Sequence, residues 1–231
     1  MTDKQVMTEP IAITIVQQIA TESHQTADNM IKVVNRKHPP ACHIGCHFCC
    51  YSPVTVTPPE AMTIARRLKE TLNGKQLKKF QRKIREKVQQ IKGKTWAEHA
   101  DKKIACSLLG DDGKCSIYEF RPVMCRSWSS MNKKHCEKSF NTGWSKGEVL
   151  NNPVVKDVGN QILSGQIEAL RHEGLEAGDF ELNEAIYTAL KHSHPELEYL
   201  AKKPVFENVK FLQNADLYSA NSEDGIDSEH D

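Results

Sequence analysis

The 231-residue chain predicts a mostly α fold, a helical protein around an irregular, cysteine-rich unit with at most a short β-hairpin. Three observations carry this reading. Apolar residues recur at helical spacing through long segments on both sides of the centre. Proline, asparagine and glycine punctuate those segments where helices start and stop. Between Trp96 and Trp144, cysteine, glycine and short apolar pieces alternate without a sustained period, which suits a small unit lacking a deep core of its own.

Residues 11–36 read as a helix, with Ile15, Ile19, Ala27, Met30, Ile31 and Val34 on one side. His38-Pro39-Pro40 stops it, because proline cannot continue a helix and turns the preceding residue away from helical angles. Pro53–Thr57 is short and extended. Thr57-Pro58-Pro59-Glu60 has the form of a capping box and opens a helix to about Leu72, which Asn73-Gly74 closes. A second helix runs from about Lys75 to Ile91 and ends at Gly93. Asp111-Asp112-Gly113 is a tight turn between two short extended pieces. Leu150 to about Arg171 forms a helix closed near Gly174, and Phe180 to about His192 forms another, stopped by Pro195. The last nine residues carry five acids and no lysine or arginine, the composition of a disordered tail. The chain thus divides into an N-terminal helix (1–39), a cysteine-rich domain (40–145, including helices at about 58–73 and 75–92), a C-terminal helical region (146–215) and an acidic tail (216–231).

Net charge near +1 gives no overall pull toward nucleic acid or an anionic membrane. No stretch approaches the ~18 uninterrupted apolar residues of a membrane span, and the N-terminus has no signal-peptide pattern. The expectation is a cytoplasmic protein, in which thiols stay reduced and cysteines serve as ligands more readily than as disulfides.

Cys42, Cys46, Cys49 and Cys50 then stand out, four thiols within nine residues. A buried cysteine packs as a small hydrophobe and has no reason to gather neighbours. Thiolates that share a metal do, since ligands close in sequence form a partly built site early. Cys106, Cys115, Cys125 and Cys136 follow at wide spacing, as when a fold assembles the ligands. Neighbouring side chains diverge in an extended chain, so Cys49 and Cys50 serve different ions or one supports the other. Arg121 and Arg126 can offset thiolate charge. His43, His47 and His135 could substitute as ligands, although solvated loop histidines explain them equally simply. A purely structural zinc, without catalysis, accounts for much of the pattern.

Cys42-x3-Cys46-x2-Cys49-Cys50, followed by Cys106-Ser-Leu-Leu and Gly113-Lys-Cys115-Ser-Ile-Tyr118-Glu-Phe-Arg121-Pro122-x2-Cys125-Arg126, resembles the YkgJ-type CxxCxxCC cysteine-cluster family. Its members are mostly bacterial and are described as zinc- or iron-chelating. The resemblance spans about residues 40–130, and it departs in one place: the first spacing has three intervening residues where the family name has two. It implies that Cys42, Cys46, Cys49, Cys50, Cys106, Cys115 and Cys125 are ligands; Cys136 lies beyond the motif. The family's cluster is also related to that of a flagellin lysine N-methylase, an iron–sulfur-dependent enzyme, which supplies an enzymatic precedent by analogy alone.

The functional expectation is a metal-binding protein that chelates zinc or iron, including an iron–sulfur cluster, through cysteine thiolates. An iron–sulfur-dependent enzyme such as a protein lysine N-methylase is the alternative. Cys42-x3-Cys46-x-Phe48-Cys49 also coincides with the radical S-adenosylmethionine pattern, but that fold needs repeated strand–helix units absent from this reading. A third class, nucleic-acid or partner binding, rests on Arg66–Lys94, with twelve basic residues against two acids. Leu77, Phe80, Ile84, Val88 and Ile91 form an apolar stripe there, so the bases are read as the solvated face of a packed helix. A protein partner of unknown identity stays open.

Overall fold

A computed structural model describes residues 7–144 and 149–209. The acidic tail and the end of the C-terminal region lie outside the described residues. Helix α1 spans Glu9–Asn35, with Pro10 in its first turn. Its buried face is Ala12, Val16, Ala20, His24, Ala27 and Ile31; Ala27 and Ile31 are as expected, whereas Met30, also expected there, is 47 % exposed. Small side chains on that face let α1 lie close against its neighbours, while Ile15 and Ile19 flank the contact, half-buried.

After a loop and a 3₁₀ turn at Phe48–Tyr51, β1 (Thr55–Val56) leads into α2 (Pro58–Thr71). The Thr57–Glu60 capping box is present as the sequence predicts. Asn73 acts differently from its expected role as a helix stop. It caps the start of α3 (Gly74–Ile91), its side chain accepting from the Gln76 N–H while Gln76 returns a bond to the Asn73 N–H. On α3, Ile84 and Ile91 are buried and Leu77 and Phe80 pack on the core, as the stripe predicts.

The stretch read as irregular contains three further helices: α4 (Trp96–Asp101), α5 (Val123–Ser127) and α6 (Lys133–Thr142). They are short and polar, so no apolar period announces them. Their signals are caps: Thr95 paired with Glu98, and Asn132 accepting from the Lys134 N–H. Asp111–Gly113 is the expected turn, with Gly113 at φ +74° and a Leu109–Cys115 antiparallel bridge beyond it. Next come α7 (Pro153–His172), β2 (Phe180–Glu181), α8 (Leu182–Lys191) and α9 (Pro195–Leu200).

The helix expected from Phe180 starts two residues later, because Phe180 and Glu181 pair with β1 in register Val56–Phe180 and Thr55–Glu181. The two-stranded sheet joins distant segments rather than forming a local hairpin. It brings the entry to α8 beside the exit of the cysteine loop. Helix α1 packs on α2, α5, α7 and α9, and α8 packs on both α2 and α3. The main core runs through Met62, Ile64, Ile84, Phe180, Ile186 and Phe206. A second cluster (Ala27, Ile31, Val123, Val155, Val158) seats α5 between α1 and α7. There Gly159 lets the helices touch: a Cβ at this position would stand 2.1 Å from Ser127 Oγ.

Candidate metal centre

The first cysteine loop is shaped by turns. The Cys46 N–H bonds the His43 carbonyl at 3.0 Å, and Gly45 between them takes φ +91°, a left-handed conformation that other residues resist. That glycine lets the three-residue spacing curl back on itself. The 3₁₀ turn then places Cys49 and Cys50 together, with the Cys50 N–H on the His47 carbonyl at 3.0 Å. The second cysteine segment is tied directly to the first: the Cys106 N–H donates to the Cys50 carbonyl at 2.8 Å.

Cys46, Cys49, Cys50, Cys106, Cys115 and Cys125 all line one cavity of ≈ 130 Å³. Trp96, Met124 and Trp128 complete an otherwise apolar wall, and Arg121 contributes the charge. Cys42 and Cys136 stand apart from this cavity and gather at Ser130. The Ser130 N–H donates to Cys42 Sγ at 3.3 Å, and Cys136, 4 % exposed on α6, also bonds Ser130. The two groups meet at Cys49, whose sulfur raises the pKa of Cys42 and Cys136 on one side and of Cys115 and Cys125 on the other. None of the eight cysteines forms a disulfide.

Burial controls the charge of these thiols. It pushes Cys106 up to about 12 and Cys42 up to about 11, and it lifts Cys115 and Cys136. Cys125 is held well above the thiol range by burial and then by the sulfurs of Cys49, Cys106 and Cys115. Cys49 is raised first by its hydrogen bond with Cys50 and then by burial. Arg121 opposes this at Cys49, Cys115 and Cys125. Its guanidinium stacks on Tyr118, 3.7 Å from the ring centroid, and its Nε donates to the Tyr118 carbonyl at 3.1 Å.

Arg126 takes a different role from the charge-offsetting one suggested by its sequence position. It pairs with Asp28 on α1 and donates to the carbonyls of Arg121 and Glu119, so it fixes the loop that carries Arg121. His47 Nδ1 lies 3.2 Å from the Gly45 carbonyl, with its ring over Gly113. His43 is an exposed loop residue, as is Ile44.

Residues 41–144 match the model of the CxxCxxCC family, described as a putative zinc- or iron-chelating domain. This segment is similar to the CxxCxxCC domain. No curated protein and no solved structure matches the chain. All eight cysteines lie inside the domain, including Cys136, which the sequence motif alone leaves out.

No three His, Cys, Asp or Glu side chains among the described residues stand ready-placed to hold a metal ion. The donor set itself fits: soft sulfur ligands on one apolar cavity, with a single guanidinium against their negative charge.

Two buried acids, neither read from the sequence as part of the site, position the cysteine-bearing segments. Glu60, 0 % exposed, accepts from the Val123 N–H at 2.8 Å, which starts the helix carrying Cys125. It also accepts from the Thr57 N–H at 3.0 Å and lies 3.1 Å from His24 Nε2. Glu181 caps α8 and accepts from Asn183 Nδ2 at 2.8 Å; Asn183 Oδ1 in turn accepts from the Ser107 N–H at 3.0 Å, next to Cys106. The Thr57–Glu60 box was legible as a helix start. Its reach to α5 is tertiary and leaves no trace in local sequence.

Among the described residues, no helix is long and apolar enough to cross a membrane.

Proposed function

We propose that the CxxCxxCC domain chelates zinc or iron at the cysteine-lined cavity. Cys49, Cys106, Cys115 and Cys125 would form the core of the ligand set, with Cys46 and Cys50 at its edge. The observation that supports this reading is the convergence of six thiols, from two segments of chain, on one apolar wall. Four of them suffice for a tetrahedral ion, and a bound metal would supply a closed structural site or a Lewis acid there. The chain's own contribution is to keep the sulfurs together, exclude water through Trp96 and Trp128, and balance their charge through Arg121.

Six thiols exceed what one tetrahedral ion needs, and that excess favours an iron–sulfur cluster as the second reading. Anaerobic purification followed by metal analysis and a visible spectrum separates the two. Stoichiometric zinc in a colourless protein supports the first; iron with acid-labile sulfide and a visible absorption band supports the second. Retention of neither metal after anaerobic reconstitution refutes chelation. Cys125→Ser is expected to lose the metal, and Cys42→Ser, outside the cavity, to keep it.

A further inference from the structure

A second and larger cavity, ≈ 550 Å³, lies on the other side of the Cys106–Ile117 segment, between that segment and helices α2 and α3. Its size is in the range of small-molecule sites. Leu68, Leu72, Phe80, Leu109 and Ile117 give it an apolar wall. Against that wall stand four cations, Arg67 from α2 and Lys79, Arg82 and Lys83 from one face of α3, opposed by two acids, Glu86 and Asp111. Arg67 is paired with Glu70 at 3.3 Å, and Lys83 donates to the Leu109 carbonyl at 2.8 Å.

The Arg67 guanidinium also lies over the Phe120 ring, 4.9 Å from its centroid, which holds that cation against the apolar side of the cavity. A cationic edge beside an apolar wall asks for a ligand that brings acceptor oxygens and negative charge on an apolar body. A carboxylate is acceptor-only and meets both demands.

We propose that this cavity binds a small amphipathic carboxylate, its apolar body on Leu68, Leu72, Phe80 and Ile117 and its head group on the Arg67 and α3 cations. The site is separate from the cysteine cavity and does not depend on the metal reading.

The test is isothermal titration of the purified full-length protein with octanoate, below the concentration at which it self-associates, alongside octanamide and octanol. One octanoate is expected to bind per chain, with the two neutral analogues at least about tenfold weaker, the scale of one lost charge-assisted contact. Lys79→Ala removes an exposed cation from the same face of α3, so it should leave the melting temperature unchanged and weaken octanoate several-fold. Arg82→Ala, on the α3 rim, should weaken octanoate and leave octanol unaffected. Absence of saturable octanoate binding, equal affinity for octanamide, or unchanged affinity in both variants would each overturn the proposal.

Discussion

Glu60→Gln tests how the scaffold holds the cysteine cavity. Both carboxylate oxygens of Glu60 are occupied: Oε1 accepts from the Val123 N–H at 2.8 Å and faces His24 Nε2 at 3.1 Å, while Oε2 accepts from the Thr57 N–H at 3.0 Å and the Thr57 hydroxyl at 3.3 Å. A glutamine keeps one acceptor oxygen and turns an NH₂ toward donors on the other side. At least one buried backbone N–H is orphaned, at a cost of about 1–3 kcal/mol. For a protein of this size each kcal/mol lowers the melting temperature by about 2–4 °C, so the expected drop is near 6 °C. Glu60→Ala removes both acceptors and should cost about twice as much. Thermal unfolding followed by circular dichroism reads both variants, with exposed Glu22→Gln as the unchanged comparison. Because Val123 opens the helix that carries Cys125, Glu60→Gln should also speed loss of metal to a chelator. A Glu60→Gln protein that melts within about 1 °C of the parent would refute the reasoning, since no orphaned buried donor can cost so little.

Glu181 is pushed up to about 7 by burial, so its protonated form is favoured in the folded state. Stability from this group is complete below the unfolded pKa near 4.5 and is lost as pH rises through 7, a change of about 3 kcal/mol that Glu181→Gln should flatten in urea unfolding between pH 5 and 8. Gly159→Ala drives a methyl group into Ser127, to 2.1 Å from Oγ and 2.4 Å from Cβ, and should destabilise by about 1–3 kcal/mol on the same assay; an unchanged midpoint would show that α5 and α7 can separate freely. Metal binding must expel protons from thiols held high by burial, so metal retention should fall steeply as pH is lowered, and dialysis at stepped pH with metal analysis checks the direction. Removal of the metal by a chelator should lower the melting temperature of the parent and have no effect on Cys125→Ser, which is expected to have lost its metal already.

The long helices were legible because their burial patterns repeat over many residues and their caps are local. Thr57 with Glu60, and Gly93 after α3, act within a few positions of each other. The sequence misassigned part of the inner face of α1 because it weighted large aliphatics such as Ile15, Ile19 and Met30, whereas Ala12 and Ala20 are buried there for being small. Close approach of two helices rewards small residues, and hydrophobicity does not reveal which contacts are close. Helices α4 and α6 escaped notice for want of apolar period, although Thr95 and Asn132 marked their starts. The Val56–Phe180 pairing could not be read at all, since register between distant segments is set by the assembled core.

The same distinction between local and tertiary information applies to the site. Residue type and spacing single out the cysteines, and every one of them lies inside the matched segment. Which sulfurs converge is decided elsewhere. Cys106 is set by its bond to the Cys50 carbonyl and by Asn183 through Ser107, and Cys125 is set by Glu60 through Val123. Asn183 lies outside residues 41–144, on a helix that packs against α2 and α3. The cysteine cavity therefore depends on the flanking helices for its shape, and cutting the chain at the matched ends would remove one of the two supports of its cysteine loops.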